Sequence, residues 1–130
     1  MRLFRSMREE ADGLPSAGPG ARLLGVRPGD APVPDVLAVD PTDSTGPAEG
    51  GLSVAPDDPL YLPRQRRPPS LGGLGRDPVW YIDKNDLGPE LQFRQDKVTH
   101  GLIEPSRTMT LQEFQDALAR TRNRWKLHCR

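Results

Sequence analysis

The chain has 130 residues, which suits a single domain spanning residues 1–130 that buries about two-thirds of its unfolded surface. Only 35% of residues are hydrophobic and 5% aromatic, while Pro (15) and Gly (13) together exceed a fifth of the chain, so a modest core wrapped in long irregular loops is expected. Eighteen basic and 18 acidic residues cancel, which excludes a whole-molecule field for nucleic acid or an anionic membrane and leaves any partner to be recognised locally.

The first predicted element is a short strand at Leu3-Phe4-Arg5-Ser6-Met7-Arg8, whose period-two alternation turns Leu3 or Phe4 to the core. From Asp12 to Gly50 the chain is dominated by turn punctuation, including Gly18-Pro19-Gly20, Pro28-Gly29 and Gly46-Pro47. Within this long loop region (12–49), Leu23-Leu24-Gly25-Val26 and Val36-Leu37-Ala38-Val39 read either as strand fragments or as apolar anchors for the loop. A loop of this length inside a domain is functional or disordered. After Gly50-Gly51, Leu52-Ser53-Val54-Ala55 reads as a strand stopped by Pro56-Asp57-Asp58-Pro59. A second loop then runs through the basic, proline-rich Pro63-Arg64-Gln65-Arg66-Arg67-Pro68-Pro69 and the glycine-rich Gly72-Gly73-Leu74-Gly75, and is expected to cover one face.

Val79-Trp80-Tyr81-Ile82-Asp83 has the strongest strand composition, with Trp80 expected in the core. Leu91–Gln95 and Thr99–Glu104 are further strands, and all three runs are placed in one mostly antiparallel sheet. Glu104, before Pro105, reads as a surface carboxylate at a strand end. Thr110-Leu111-Gln112-Glu113 has the S/T-x-x-E form of a helix start, with Met109 and Phe114 as a hydrophobic staple. Leu111, Phe114, Leu118, Thr121 and Trp125 then recur at helical spacing, predicting one C-terminal helix that reaches Trp125. Arg120, Arg122, Arg124 and Lys126 suit the negative end of that helix.

Cys129 is the only cysteine, which excludes an internal disulfide and a cysteine-based zinc site and fits a reducing compartment. Met1-Arg2-Leu3-Phe4-Arg5 gives way to Arg8-Glu9-Glu10 without a signal-peptide apolar run, and no segment has the ~20 apolar residues of a membrane span. A cytoplasmic protein, exported if at all without a signal peptide, is the expectation. No P-loop, G-x-G-x-x-G, H-E-x-x-H or G-x-S-x-G is present, so the common phosphate, dinucleotide, zinc and serine-hydrolase sites are excluded and no metal ligands are assigned. The remaining polar candidates are dispersed: Arg5, Ser53, and the Gln95-Asp96 to His100 segment.

Four stretches carry a resemblance. Leu3-Phe4-Arg5, Gly50-Gly51-Leu52-Ser53-Val54, Val79-Trp80-Tyr81-Ile82 running into Leu87-Gly88-Pro89-Glu90-Leu91, and Gln95-Asp96 follow the order of the Tse-two-like type VI secretion toxins. The likeness continues through Thr99-His100, Ile103-Glu104-Pro105, Met109 and the last helix. It covers most of residues 50–126 and little of 6–49.

The resemblance implies an α+β fold with a small split β-core of ADP-ribosyltransferase type, long Pro/Gly-rich loops and a C-terminal helix. It also implies a cleft that takes NAD as substrate, action as an intracellular toxin, and a cognate immunity or antitoxin protein. The family's Gly-Gly-Thr-Ser strand carries its serine onto Ser53, whereas its threonine is replaced by Leu52. Breaking the nicotinamide–ribose bond builds positive charge on the ribose, so a site needs a pyrophosphate anchor, a nicotinamide cradle and a group fixing the ribose. Arg5 is assigned the anchor, since a planar guanidinium donates to phosphate or ribose oxygens two at a time. Ser53 and Leu52 line the cofactor strand, and Tyr81 is a candidate to stack on a flat ring. His100, Gln95 and Asp96 are the catalytic candidates, because the usual transferase glutamate has no assured counterpart and an imidazole changes charge near neutral pH. Transfer to an unknown macromolecular acceptor and hydrolysis of NAD are both open.

Two other classes compete. A non-enzymatic interaction module would use the same sheet and helix as a frame and dock through the Pro/Arg-rich loops. RNA modification is the third, opposed by charge neutrality, since no broad nucleic-acid-binding surface is expected.

Overall fold

The strand-forming runs pair in one six-stranded antiparallel sheet, to which the C-terminal end of the chain adds an unforeseen edge. The computed structural model describes residues 1–130 and contains β1 (Arg2–Ser6), β2 (Ser44–Thr45), β3 (Leu52–Pro56), β4 (Val79–Asp83), β5 (Leu91–Lys97), β6 (His100–Pro105), β7 (Met109–Thr110), α1 (Leu111–Arg120) and β8 (Lys126–Cys129). The sheet order is β5-β6-β3-β1-β4-β8, and β2 pairs separately with β7. The protein is thus α+β with a mostly antiparallel sheet and one helix near its C-terminus. No helix is long and apolar enough to cross a membrane.

Both faces of the sheet are covered, so strand residues of either parity are buried. Leu3, Leu52, Val54, Trp80, Ile82 and Ile103 point to the main core under α1, which adds Leu111, Phe114, Ala117 and Leu118. Phe4, Ala55 and Val79 form a smaller core on the other face with Leu62 from the second loop. Leu3 and Phe4 are therefore both buried, instead of one facing water. Residues 12–49 carry little regular structure, yet Leu24, Val26, Val36 and Ala38 belong to the main core. The two apolar islands are loop anchors, touching the ladder pattern only at isolated bridges such as Val36 with Gly50. Side chains tie down the rest: Arg22 to Asp77, Arg27 to Asp35, and Arg122 to Asp12.

The sheet parts in its middle. β1 and β3 share only Leu3 with Pro56 and Phe4 with Ala55. Beyond that point β1 stays paired with β4 through Ser6, while β3 stays paired with β6 from Leu52 to Val54. The backbone groups released by this divergence need other partners, and a side chain of β1 supplies one, as described below.

The helix starts where the sequence places it. The Thr110 hydroxyl accepts from the Glu113 N–H at 3.1 Å and the Glu113 carboxylate accepts from the Thr110 N–H at 3.3 Å. It ends at Arg120, short of Trp125. The Thr121 hydroxyl donates to the Leu118 carbonyl at 2.7 Å and accepts from the Trp125 indole at 3.0 Å. A single turn at Arg122–Arg124 then redirects the chain into β8 along the free edge of β4. Trp125 is buried, but from this turn; helical spacing alone does not distinguish the two routes, and the unpaired edge of β4 decided between them. Three of the four basic residues are likewise partnered: Arg120 donates to both oxygens of Glu90, Arg122 to both of Asp12, and Arg124 to the Asp86 carbonyl.

Glu104 also departs from its expected surface position, having no exposed area. Its carboxylate accepts from Arg94 Nε at 2.8 Å, Gln92 Nε2 at 2.6 Å and the Ala48 N–H at 3.1 Å, joining β5 and β6 to the loop before β3. Burial by itself would raise its pKa, but these hydrogen bonds outweigh burial and hold it below the usual carboxylate value. A group with a depressed folded pKa stabilises the protein above its unfolded pKa and loses that contribution as pH falls through the folded one. Glu104→Gln should therefore lower unfolding free energy by about 1.5–3 kcal/mol at pH 7. In urea titrations, its deficit relative to wild type should shrink as the pH is taken below the carboxylate range.

Candidate functional site

Where β1 and β3 separate, a cavity of about 200 Å³ opens. Arg5 and Ser6 of β1 and Ser53, Val54 and Ala55 of β3 form its floor. Arg27 and Asp35 from the first loop, Tyr61 and Arg66 from the second, Thr99 just before β6 and His100 at its start are among the other lining residues. The antiparallel β5–β6 turn brings His100 beside the strand that carries Ser53, because Val54 is paired with Gly101. Three dispersed candidates, Arg5, Ser53 and His100, thus share one cleft.

Arg5 fills the parting of the sheet. Its Nη1 donates to the Ser53 carbonyl at 2.9 Å, and its Nε and Nη2 donate to the Leu23 carbonyl at 3.2 and 2.9 Å. Nη2 also reaches the Gly20 and Ala21 carbonyls, each at 3.3 Å. The guanidinium therefore donates to four backbone acceptors of the diverging strand and the 20–23 turn, of which Gly20 also accepts from the Leu23 N–H at 3.2 Å. Burial lowers its pKa to about 10, opposed by Asp35 and reinforced by Arg66 and Arg27, so it remains a cation at neutral pH. Most of its donors are committed to the protein, so it clamps the cleft more than it faces it.

Ser53 lines the cleft half-buried, whereas Leu52, one residue before it on the opposite face, is 1% exposed and packs in the main core. Strand alternation alone accounts for this division. Tyr81 lies outside the cleft: its ring sits 5.9 Å from Phe4 and 6.5 Å from His128, with the Arg2 guanidinium 4.2 Å above it. Trp80, on the other face, is core, and its indole donates to the Met7 carbonyl at 2.9 Å.

His100 Nδ1 lies 2.7 Å from Asp96 Oδ1 across the β5–β6 turn, leaving Nε2 without a protein partner. Desolvation raises the Asp96 pKa, but the bond to His100 together with the charges of His100 and Lys97 and a backbone N–H outweighs it, so Asp96 ionises below the usual aspartate range. Asp96 does not itself line the cleft; it orients a residue that does. Gln95 turns away, its amide donating to the Lys97 carbonyl at 3.0 Å within the same turn.

A family model described as Tse2 ADP-ribosyltransferase toxin matches residues 2–125. The chain belongs to the Tse2 ADP-ribosyltransferase toxin family. The match includes residues 6–49, where the motif likeness was poor, and so takes in the loop that supplies Arg27 and Asp35. No curated protein and no solved structure matches the chain significantly.

In this Tse2 family member the cleft holds three guanidiniums, those of Arg5, Arg27 and Arg66, against the single carboxylate of Asp35. That carboxylate is already engaged by Arg27, through Nε and Nη2 at 3.0 Å each and through its N–H at 2.7 Å. An anion entering the cleft meets a positive excess, and no uncommitted carboxylate is among the lining residues. Arg66 has no carboxylate within ion-pair distance and no protein acceptor, which makes it the free cation of the cleft. Sequence reasoning grouped Arg66 with the basic loop but gave it no site role, and passed over Tyr61, Arg27 and Asp35. Their loops have no periodicity from which a direction can be read; the local cluster of arginines between prolines was the only available signal for Arg66.

Proposed function

We propose that the cleft binds NAD and that the protein acts as a toxin by breaking its nicotinamide–ribose bond, giving ADP-ribose to water or to a macromolecular acceptor. The observation that carries this reading is the meeting of Ser53 and His100 with an arginine-rich cavity at the parting of β1 and β3. The net excess of positive charge suits a pyrophosphate, and Arg66, the guanidinium without a protein partner, is the residue proposed to donate to it. Arg5 is assigned a different task from phosphate binding: it fixes the Ser53 backbone and the 20–23 turn. A cavity of about 200 Å³ is below the ~300–1,000 Å³ of typical ligand sites, so it takes the nicotinamide-ribose end while the adenosine end extends from its mouth. Tyr61, 38% exposed at that mouth, offers a ring face for stacking.

In the reaction, the C1′–N bond breaks and nicotinamide departs with the bonding pair, cancelling its ring charge. The acceptor oxygen forms the new bond to C1′, and its proton passes to His100 Nε2, with Asp96 holding the opposite nitrogen. Ser53 fixes the ribose by hydrogen bonding. Cytoplasmic action and a cognate immunity protein complete the proposal; such a protein, by binding only the folded toxin, would raise its stability by mass action.

Calorimetric titration with NAD and measurement of released nicotinamide test the proposal. Arg66→Ala should weaken NAD about 10- to 100-fold, the loss expected for one charge-assisted hydrogen-bond pair, with unchanged circular dichroism. No NAD binding by the wild-type chain, or an Arg66→Ala affinity equal to wild type, overturns the assignment.

A further inference from the structure

Arg66 is a wall of three adjoining cavities. Besides the cleft, it borders a hollow of about 180 Å³ with Arg22, Arg76 and Asp77, and another of about 370 Å³ with Arg8 and Arg22. Ser6 is shared between the cleft and the first hollow, and Ala21 between the cleft and the second. The three form one continuous surface leading to the NAD cleft.

The charge along that surface is unbalanced although the chain is neutral. The two outer hollows gather Arg8, Arg22, Arg66 and Arg76 against Asp77 alone. Asp77 is neutralised by Arg22 at 2.6 and 2.7 Å, and Arg8 donates to the Ser16 hydroxyl at 3.0 Å and has as its carboxylate partner the exposed Glu10, at 3.3 Å. Neither Arg66 nor Arg76 has a carboxylate within ion-pair distance. Carboxylates that balance the total, such as Asp83 and Asp86, lie at the far end of β4. The loop presenting Arg66 is held in place, with the Leu74 N–H on the Arg64 carbonyl at 3.0 Å and the Gly75 N–H on the Arg67 carbonyl at 2.7 Å. At Gly73 a side chain has no room, since a Cβ would fall 2.1 Å from the Arg67 carbonyl oxygen. Cations on a fixed loop lose little freedom on binding.

We propose that this arginine shelf is the docking surface for a single-stranded nucleic acid, whose backbone phosphates it seats so that a nucleotide reaches the mouth of the NAD cleft. Arginine forks lining polar hollows donate to phosphate oxygens two at a time, and the exposed ring of Tyr61 at the cleft end gives a base a stacking face. An acidic protein partner fits less well, because a stable protein interface centres on buried apolar anchors, and the hollow between Arg22 and Arg76 is lined by Leu74 as its single hydrophobic residue. The shelf's role as the seat of an acceptor rests on the NAD reading above, but its capacity to bind a strand does not.

The test is fluorescence anisotropy of the full chain with fluorescein-labelled 15-nucleotide oligouridylate and oligothymidylate, from 50 to 200 mM salt. Three to four arginines predict a log–log salt slope of about −2 to −3, at ~0.7 per phosphate neutralised on a single strand. Arg76→Glu and Arg8→Glu should each weaken binding about tenfold or more while leaving nicotinamide release from NAD into water unchanged. Binding of neither oligonucleotide at 50 mM salt, an Arg76→Glu affinity equal to wild type, or equal affinity for poly-glutamate would overturn the proposal; the last outcome would give the surface to an acidic protein. If strand binding depends on Arg76 but NAD is not turned over, the NAD reading fails and the docking surface stands.

Discussion

Replacing His100 with alanine should lower nicotinamide release by about 10²–10⁴-fold, the range for loss of a positioned general base, with little change in stability. The imidazole has one nitrogen 2.7 Å from Asp96 and the other free of protein partners, in a side chain that is 37% exposed. Removing it therefore leaves no buried group unpaired. Asp96→Asn should cost less, about tenfold, because an amide still contacts the ring but no longer favours the charged imidazolium. Asp96 ionises below the ordinary aspartate range, so its support persists through mildly acidic pH and is lost only as pH falls through that lowered value. A His100→Ala enzyme that releases nicotinamide at the wild-type rate would remove the base from the mechanism. A large drop accompanied by an altered urea midpoint would make the role structural instead.

Arg5→Ala should act in the opposite way, through the fold first. It strips the guanidinium from four part-buried backbone carbonyls, those of Gly20, Ala21, Leu23 and Ser53, of which only Gly20 keeps a backbone donor, the Leu23 N–H at 3.2 Å. Unsatisfied buried acceptors cost about 1–3 kcal/mol each, partly relieved by water entering the cavity. A net loss of about 3 kcal/mol in urea unfolding is expected, together with loss of NAD turnover. Arg5→Lys separates shape from charge: a compact ammonium cannot span the Ser53 strand and the 20–23 turn at once, so it should recover less than half of the lost stability. Arg5 variants also change how growth tests are read. Loss of toxicity in Arg5→Ala reports a collapsed cleft, whereas loss in a folded Arg66→Ala reports weakened phosphate binding. An unchanged urea midpoint for Arg5→Ala would rule out the clamp.

The candidate site was partly legible because strands impose a simple rule. Gly50-Gly51 followed by a strand-forming run marked Ser53 and Leu52 together as the cofactor strand, and the structure divides them, the first in the cleft and the second in the core, because neighbours on a strand face opposite ways. The same rule separates Tyr81 from Trp80 but does not say which face holds the cleft, and Tyr81 is not among the residues that line it. Arg27, Asp35, Tyr61 and Arg66 were missed because each comes from a loop, where direction follows from long-range anchoring rather than period. Glu104 was misplaced for a related reason: its partners, Gln92, Arg94 and Ala48, become neighbours only when β5 pairs with β6 and the 46–50 segment folds over them.

Local patterning by itself determined the β-rich composition of the domain, the strand at Val79–Asp83 and the helix start at Thr110, since alternation and capping are contacts between residues close in sequence. Tertiary structure alone decided three things. It ended the helix at Arg120 so that Lys126–Cys129 could satisfy the open edge of β4. It parted β1 from β3 and gave the released carbonyls to Arg5. Finally, it gathered the arginines of a neutral chain onto one surface around Arg66, because net charge is a sum over the sequence whereas a binding field depends on where the charges lie.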